Sequence, residues 1–151
     1  MATIEKSVEI LNDLIQINND RIEGFERASK ELSADDLDLR NLFTLFTKDS
    51  RTHVQELTAA VALLGDKPET GNTITGTLHR TWLDVKATFT GQNRKSILQE
   101  CERGEDAIKK AYTEALAGNV LPADVSEILV QQQQKINEGH DKIKALRDSA
   151  V

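Results

Sequence analysis

Leu32-Ser33-Ala34-Asp35-Asp36-Leu37 is where one long helical pattern stops and a second begins. Ser33 is a residue type that caps helix N-termini, Asp36 follows it by three positions, and Leu32 and Leu37 are spaced as a hydrophobic staple. The stretch is therefore expected to be a tight turn between two helices. Upstream of it, Ile4, Val8, Leu11, Ile15, Ile22, Phe25 and Leu32 recur at three- and four-residue steps and place one apolar face on a helix over about 3–32. Downstream, Leu39, Leu42, Phe43, Phe46, Leu57, Ala60, Val61 and Leu64 do the same for a helix over about 34–64, which Gly65 is placed to end.

Pro68 and Gly71 then open a longer connection. Within it, Leu78, Trp82, Val85 and Phe89 form a short apolar stripe, so a crossover helix is expected over about 73–89. Asn93 is the natural cap of a third helix over about 94–117, which turns Ile97, Cys101, Ile108, Ala111, Tyr112 and Ala115 inward and stops at Gly118. Pro122, read as the first helical residue, opens a fourth helix over about 122–148 on Val125, Leu129, Ile136, Ile143 and Leu146. Two tight connections flank one long one. The expected fold is all-α: a ferritin-like up-down four-helix bundle, two helical hairpins joined by a long crossover, with residues 1–151 forming one domain.

The bulk composition agrees with this reading and excludes several function classes. Apolar residues make up 38% and aromatics 4%, with two prolines, and no strand-forming runs are present. The net charge of −6 comes without any cluster of Lys and Arg, which argues against a nucleic-acid surface. No segment reaches the roughly 18 apolar residues that span a bilayer, and Met1-Ala2-Thr3-Ile4 does not begin a secretory leader. A cytoplasmic protein with no membrane partner is expected. The single Cys101 fits a reducing compartment and, set among apolar neighbours, reads as a small hydrophobe rather than a nucleophile.

Polar residues on the inner faces carry the functional question. Bundles of this connectivity can hold two metal ions on a Glu from each of two helices and a Glu-x-x-His pair from each of the others. Here Glu105 lies on the inner stripe of helix three, where a carboxylate must be paired or bound to a cation. His53 follows Ser50 by three on helix two, and His140 follows Asn137 by three on helix four, so both look like Glu-x-x-His with the Glu replaced. A shift of 87 residues superposes Asn18 on Glu105, Phe25 on Tyr112, Ser50 on Asn137 and His53 on His140. Glu105, His53 and His140 are the candidate metal ligands, for iron or zinc, with Asn18, Ser50, Asn137 and Tyr112 around them. The alternative is a hydrogen-bonded core in which Glu105 pairs with His53 or an Arg.

No catalytic residue or cofactor-binding motif stands out, for there is no Gly-rich phosphate loop and no Cys-x-x-Cys pair. Gln131 to Gln134 read as a polar helix face, and Trp82 in His79-Arg80-Thr81-Trp82 as packing.

The chain resembles a bacterial ferritin-like family of unknown function. The resemblance rests on Leu11-Asn12-Asp13-Leu14-Ile15 with Asp20 and Gly24-Phe25, on His79-Arg80-Thr81-Trp82, and on Leu98-Gln99-Glu100-Cys101-Glu102-Arg103-Gly104-Glu105-Asp106 with Tyr112. It departs from the family at Asp20-Arg21, where members resembling it have Asp-Gly. The resemblance implies a fold, and no activity comes with it. A non-catalytic structural or interaction protein is the expected function, a metal-binding protein with oxygen or peroxide chemistry the alternative, and a side-by-side homodimer the expected association.

Overall fold

The computed structural model describes residues 2–65 and 93–150. They form four helices: α1 over Ala2–Glu31, α2 over Leu37–Leu63, α3 over Arg94–Ala117 and α4 over Ala123–Ser149. The expected crossover helix, with Trp82 and the His79-Arg80-Thr81-Trp82 run, lies outside the described residues. Each helix buries one apolar stripe. Leu11, Phe25, Leu39, Phe43, Leu57, Val61, Ile97, Ile108, Tyr112, Leu129, Ile136 and Ile143 make a continuous core across all four. Ile4, expected inside, is 48% exposed, because the stripe of α1 begins one turn later at Val8.

α1 packs against α2 and α3, and α4 against α3 and α2, so the four helices sit at the corners of a square. Side-chain bonds give their directions. Asn18 meets Tyr112 while Arg21 meets Glu105, so α1 and α3 run antiparallel. Gln132 reaches Glu56 and Lys135 approaches Asp49, so α2 and α4 are antiparallel too. At the start of α3, Arg94 forks onto Asp38 and also holds Asp36, both at the start of α2. The end of α2 and the start of α3 therefore lie at opposite ends of the bundle, separated by the roughly 40 Å that 27 helical residues rise. Only a long connection joins such points, which is the four-helix topology the spacing implies. None of the described helices is long and apolar enough to cross a membrane.

The helix ends show where local signals compete. Ser33 does not cap α2. Its hydroxyl donates to Asp36 Oδ2 at 3.0 Å, Asp36 becomes the N-cap residue, and the helix begins at Leu37 rather than near residue 34. Leu37 is then the first helical residue and 60% exposed, whereas Leu32 is buried. The last carbonyls of α1 are met instead by Arg40, whose guanidinium donates to Leu32 O at 3.2 Å. Arg94 hydrogen-bonds the exposed Asp38 carboxylate and lowers its pKa to about 2.

Gly65 ends α2 at φ +84°, a left-handed geometry that glycine adopts without strain. After α3 the corresponding turn is made by Asn119 at φ 57°, one residue beyond Gly118. Pro122 is the N-cap of α4 rather than its first helical residue, and Ala123 takes that place. Asn93 caps α3 as expected, its side chain accepting from Ser96 N at 2.9 Å. Asn93→Ala is expected to cost about 1 kcal/mol by urea unfolding, the usual worth of such a cap.

Candidate functional site

Midway along the bundle the apolar core is interrupted by one polar layer to which every helix contributes. On α1, the step from Asn18 to Arg21 to Phe25 keeps all three side chains facing the interior, at 0%, 1% and 0% exposure. Arg21 is the centre of the layer. Its Nε donates to Glu105 Oε1 at 2.7 Å and its second terminal nitrogen to Oε2 at 2.9 Å, a two-pronged fork onto a fully buried carboxylate. The remaining nitrogen donates to Ser50 Oγ at 3.0 Å. The guanidinium carbon also lies 5.4 Å and 5.1 Å from the ring centres of Phe25 and Phe46, whose faces favour a cation.

Room for this fork comes from α4. A methyl group at Gly139 would lie 3.0 Å from an Arg21 terminal nitrogen, 3.1 Å from Glu105 Oε2 and 3.3 Å from a Phe46 ring carbon. Gly139 therefore lets α4 close over the ion pair.

From Arg21 a directed chain of hydrogen bonds runs outward. Ser50 accepts from Arg21 and donates to Asn18 Oδ1 at 3.0 Å. Asn18 Nδ2 donates to Tyr112 Oη at 2.9 Å and to Leu14 O at 2.8 Å. Tyr112 donates to Gln132 Oε1 at 2.6 Å, and Gln132 Nε2 donates to Glu56 Oε1 at 3.0 Å on the surface of α2. Donation starts at a cation and ends at an anion, so each dipole along the chain supports the next. His53 Nδ1 lies 3.3 Å from Asn18 Oδ1. Burial, with Arg21 and Lys135 nearby, lowers the His53 pKa to about 3, so the ring is neutral at pH 7. Burial likewise raises the Tyr112 phenol above its ordinary range, and the Cys101 thiol well above its own, which leaves Cys101 the inert hydrophobe its neighbours suggested.

Of the candidate ligands, Glu105 and His53 enter this layer and His140 does not. His140 turns away from Glu105 toward the α3–α4 surface, its Nε2 2.5 Å from Asp106 Oδ1 and its Nδ1 3.3 Å from Asp141 Oδ1. Both Glu105 oxygens face Arg21, and His53 faces Asn18. The expected convergence of Glu105, His53 and His140 on one ion is thus not the arrangement found, and the reason is Arg21, which supplies the positive charge that Glu105 requires. Among the described residues no group of three or more His, Cys, Asp and Glu side chains is placed to hold a metal ion. Asn18, Ser50 and Tyr112 take part in the layer, whereas Asn137 is only half-buried and its Oδ1 has no hydrogen-bond partner.

The sequence reading missed Arg21, Gln132 and Gly139. Arg21 and Gln132 were legible in principle from the inward register of Asn18 and Phe25 and of Leu129 and Ile136. Under the 87-residue shift Arg21 falls on Ile108, so the ion pair has no mirror copy.

The geometry describes a closed, internally neutralised polar layer. No curated protein matches the chain. A family model described as a domain of unknown function, DUF2383, matches residues 6–118, which takes in α1, α2 and α3, including Arg21 and Glu105, and stops before α4. That match spans well over half of the chain, which therefore belongs to the DUF2383 family.

Proposed function

We propose that this chain is a non-catalytic, ferritin-like helical bundle, a structural or interaction protein whose core layer is filled by a resident ion pair where other bundles of its connectivity hold metal ions. The observation that carries the reading is the Arg21–Glu105 fork, with side chains 1% and 0% exposed. A guanidinium bonded to both oxygens of a fully buried carboxylate competes directly with any cation for those oxygens. The remaining members, Asn18, Ser50, His53, Tyr112 and Gln132, are bonded to one another rather than gathered around a vacant point. A buried pair of this kind adds little stability over well-packed apolar residues, and its use here is to fix which faces of four similar helices meet. Cytoplasmic residence and side-by-side homodimers belong to the same proposal; the free, buried Cys101 suits a reducing compartment.

Metal analysis tests the reading. Protein purified without chelators or a His-tag, then supplied with iron, zinc or manganese and desalted, is expected to retain under about a tenth of an equivalent of each, since the described residues gather no set of three or more His, Cys, Asp and Glu ligands. Retention near one equivalent that is lost in both Glu105→Ala and His53→Ala would overturn it.

A further inference from the structure

Of the four helix–helix seams, the one between α2 and α4 is the most loosely packed. Polar contacts hold it: Gln132 to Glu56 at 3.0 Å and Lys135 to Asp49 at 3.8 Å. Between them opens a cleft of about 410 Å³, lined by Leu45, Asp49, His53, Glu56, Gln132 and Lys135 among others. His53 belongs both to this cleft and to the buried layer, and it is 2% exposed.

The bonds around His53 fix its tautomer. Asn18 Oδ1 is an acceptor, because the amide nitrogen of Asn18 is committed to Leu14 O and Tyr112. His53 Nδ1 must therefore carry the proton, and Nε2 the lone pair. A second proton on this ring would meet cations on two sides, Arg21 from α1 and Lys135 from α4. The nearby anions are already engaged: Glu105 of α3 with Arg21, Glu56 of α2 with Gln132, and Asp49 of α2 with Lys135. Tyr112 of α3 is held between Asn18 and Gln132. In the closed seam, among the described residues, the ring's hydrogen-bond partner is the neutral Asn18 amide rather than a carboxylate.

We propose that the α2–α4 seam is an acid-operated hinge, in which protonation of His53 releases its ring into the cleft toward Asp49 and Glu56 and parts α2 from α4 while the α1–α2 and α3–α4 hairpins stay paired. The direction follows from linkage. His53 sits at about 3 in the closed seam and regains its ordinary value near 6.5 once solvated. A lowered pKa means that the closed form is fully favoured above about pH 6.5 and loses ground as pH falls toward about 3. One proton is taken up on opening, so the opening constant rises roughly 30-fold between about pH 7 and about pH 5.

Amide hydrogen exchange on the whole protein, corrected for the intrinsic pH dependence of exchange, reads this opening. Amides of Ser50–Leu57 and Leu129–Ile136 are expected to lose protection by about 30-fold between those pH values, and those of Leu11–Ile17 by less than about threefold. His53→Gln, which keeps a donor to Asn18 but cannot titrate, is expected to abolish the difference. If His53→Gln fails to fold, the unaltered protein still carries the test: seam protection is expected to be nearly flat above about pH 7 and to fall about tenfold per pH unit between about pH 6 and about pH 5. Equal acceleration in all four helices, no acceleration at the seam, or a His53→Gln seam that responds as the unaltered protein does would overturn the proposal.

Discussion

Arg21→Met is expected to lower the unfolding free energy by about 3–5 kcal/mol, read as a large fall in the urea midpoint with an unchanged slope. The substitution keeps the volume and the contacts with Phe25 and Phe46 but withdraws both donors from Glu105 and a third from Ser50. Glu105 is 0% exposed and has no water to turn to. What is lost is therefore less the attraction within the pair than the compensation of a charge already desolvated. Glu105→Met should cost about as much for the converse reason, since Arg21 would then lie at 1% exposure with a hydroxyl and two aromatic rings as its main company.

Gly139→Ala should destabilise by about 1–3 kcal/mol although alanine is the better helix former by roughly 1 kcal/mol. In an ordinary helix interior the exchange would be favourable. Here the added methyl would meet Arg21, Glu105 and Phe46 at 3.0–3.3 Å. The first two atoms end flexible side chains, yet neither can retreat without lengthening a bond of 2.7 or 2.9 Å to the other. Either α4 moves outward or the fork loosens, and both weaken the layer. The contrast to measure by thermal or urea unfolding is with Gly118→Ala, where the methyl would meet nothing nearer than 3.9 Å and φ is −67°.

Most of the fold was legible in the sequence because helical periodicity is a property of each segment alone. The stripes of α2, α3 and α4 and the caps at Gly65 and Asn93 depend on a few neighbouring residues, and they fall where the spacing puts them. The α1–α2 turn was read less well. Ser33 and Asp36 are both residue types that cap helices, and the Asp36 carboxylate is held by Ser33 and by Arg94, 58 residues away, a contact that local spacing does not show.

The polar layer was half legible. Asn18, Ser50, His53 and Glu105 declare themselves by sitting on apolar stripes. Glu105 in that position already required a positive charge, and a metal ion was one way to supply it. Arg21 was the other, and it lies on the same stripe one turn from Asn18; arginine is so often solvated that its register alone did not single it out. Gly139 gave no such signal, because the space it leaves is defined by Arg21, Glu105 and Phe46 on three other helices.

A double-mutant cycle on Arg21 and Glu105 tests the central claim most directly. Urea unfolding of the unaltered protein, Arg21→Met, Glu105→Met and the double variant should show two singles down by about 3–5 kcal/mol each and a double within about 1–2 kcal/mol of the starting protein, or above it. That pattern gives a coupling of several kcal/mol and identifies the buried fork as a self-contained neutral unit. Losses that add in the double variant to within about 0.5 kcal/mol would mean that the two side chains do not compensate each other, and would contradict the account of a layer closed by its own ion pair.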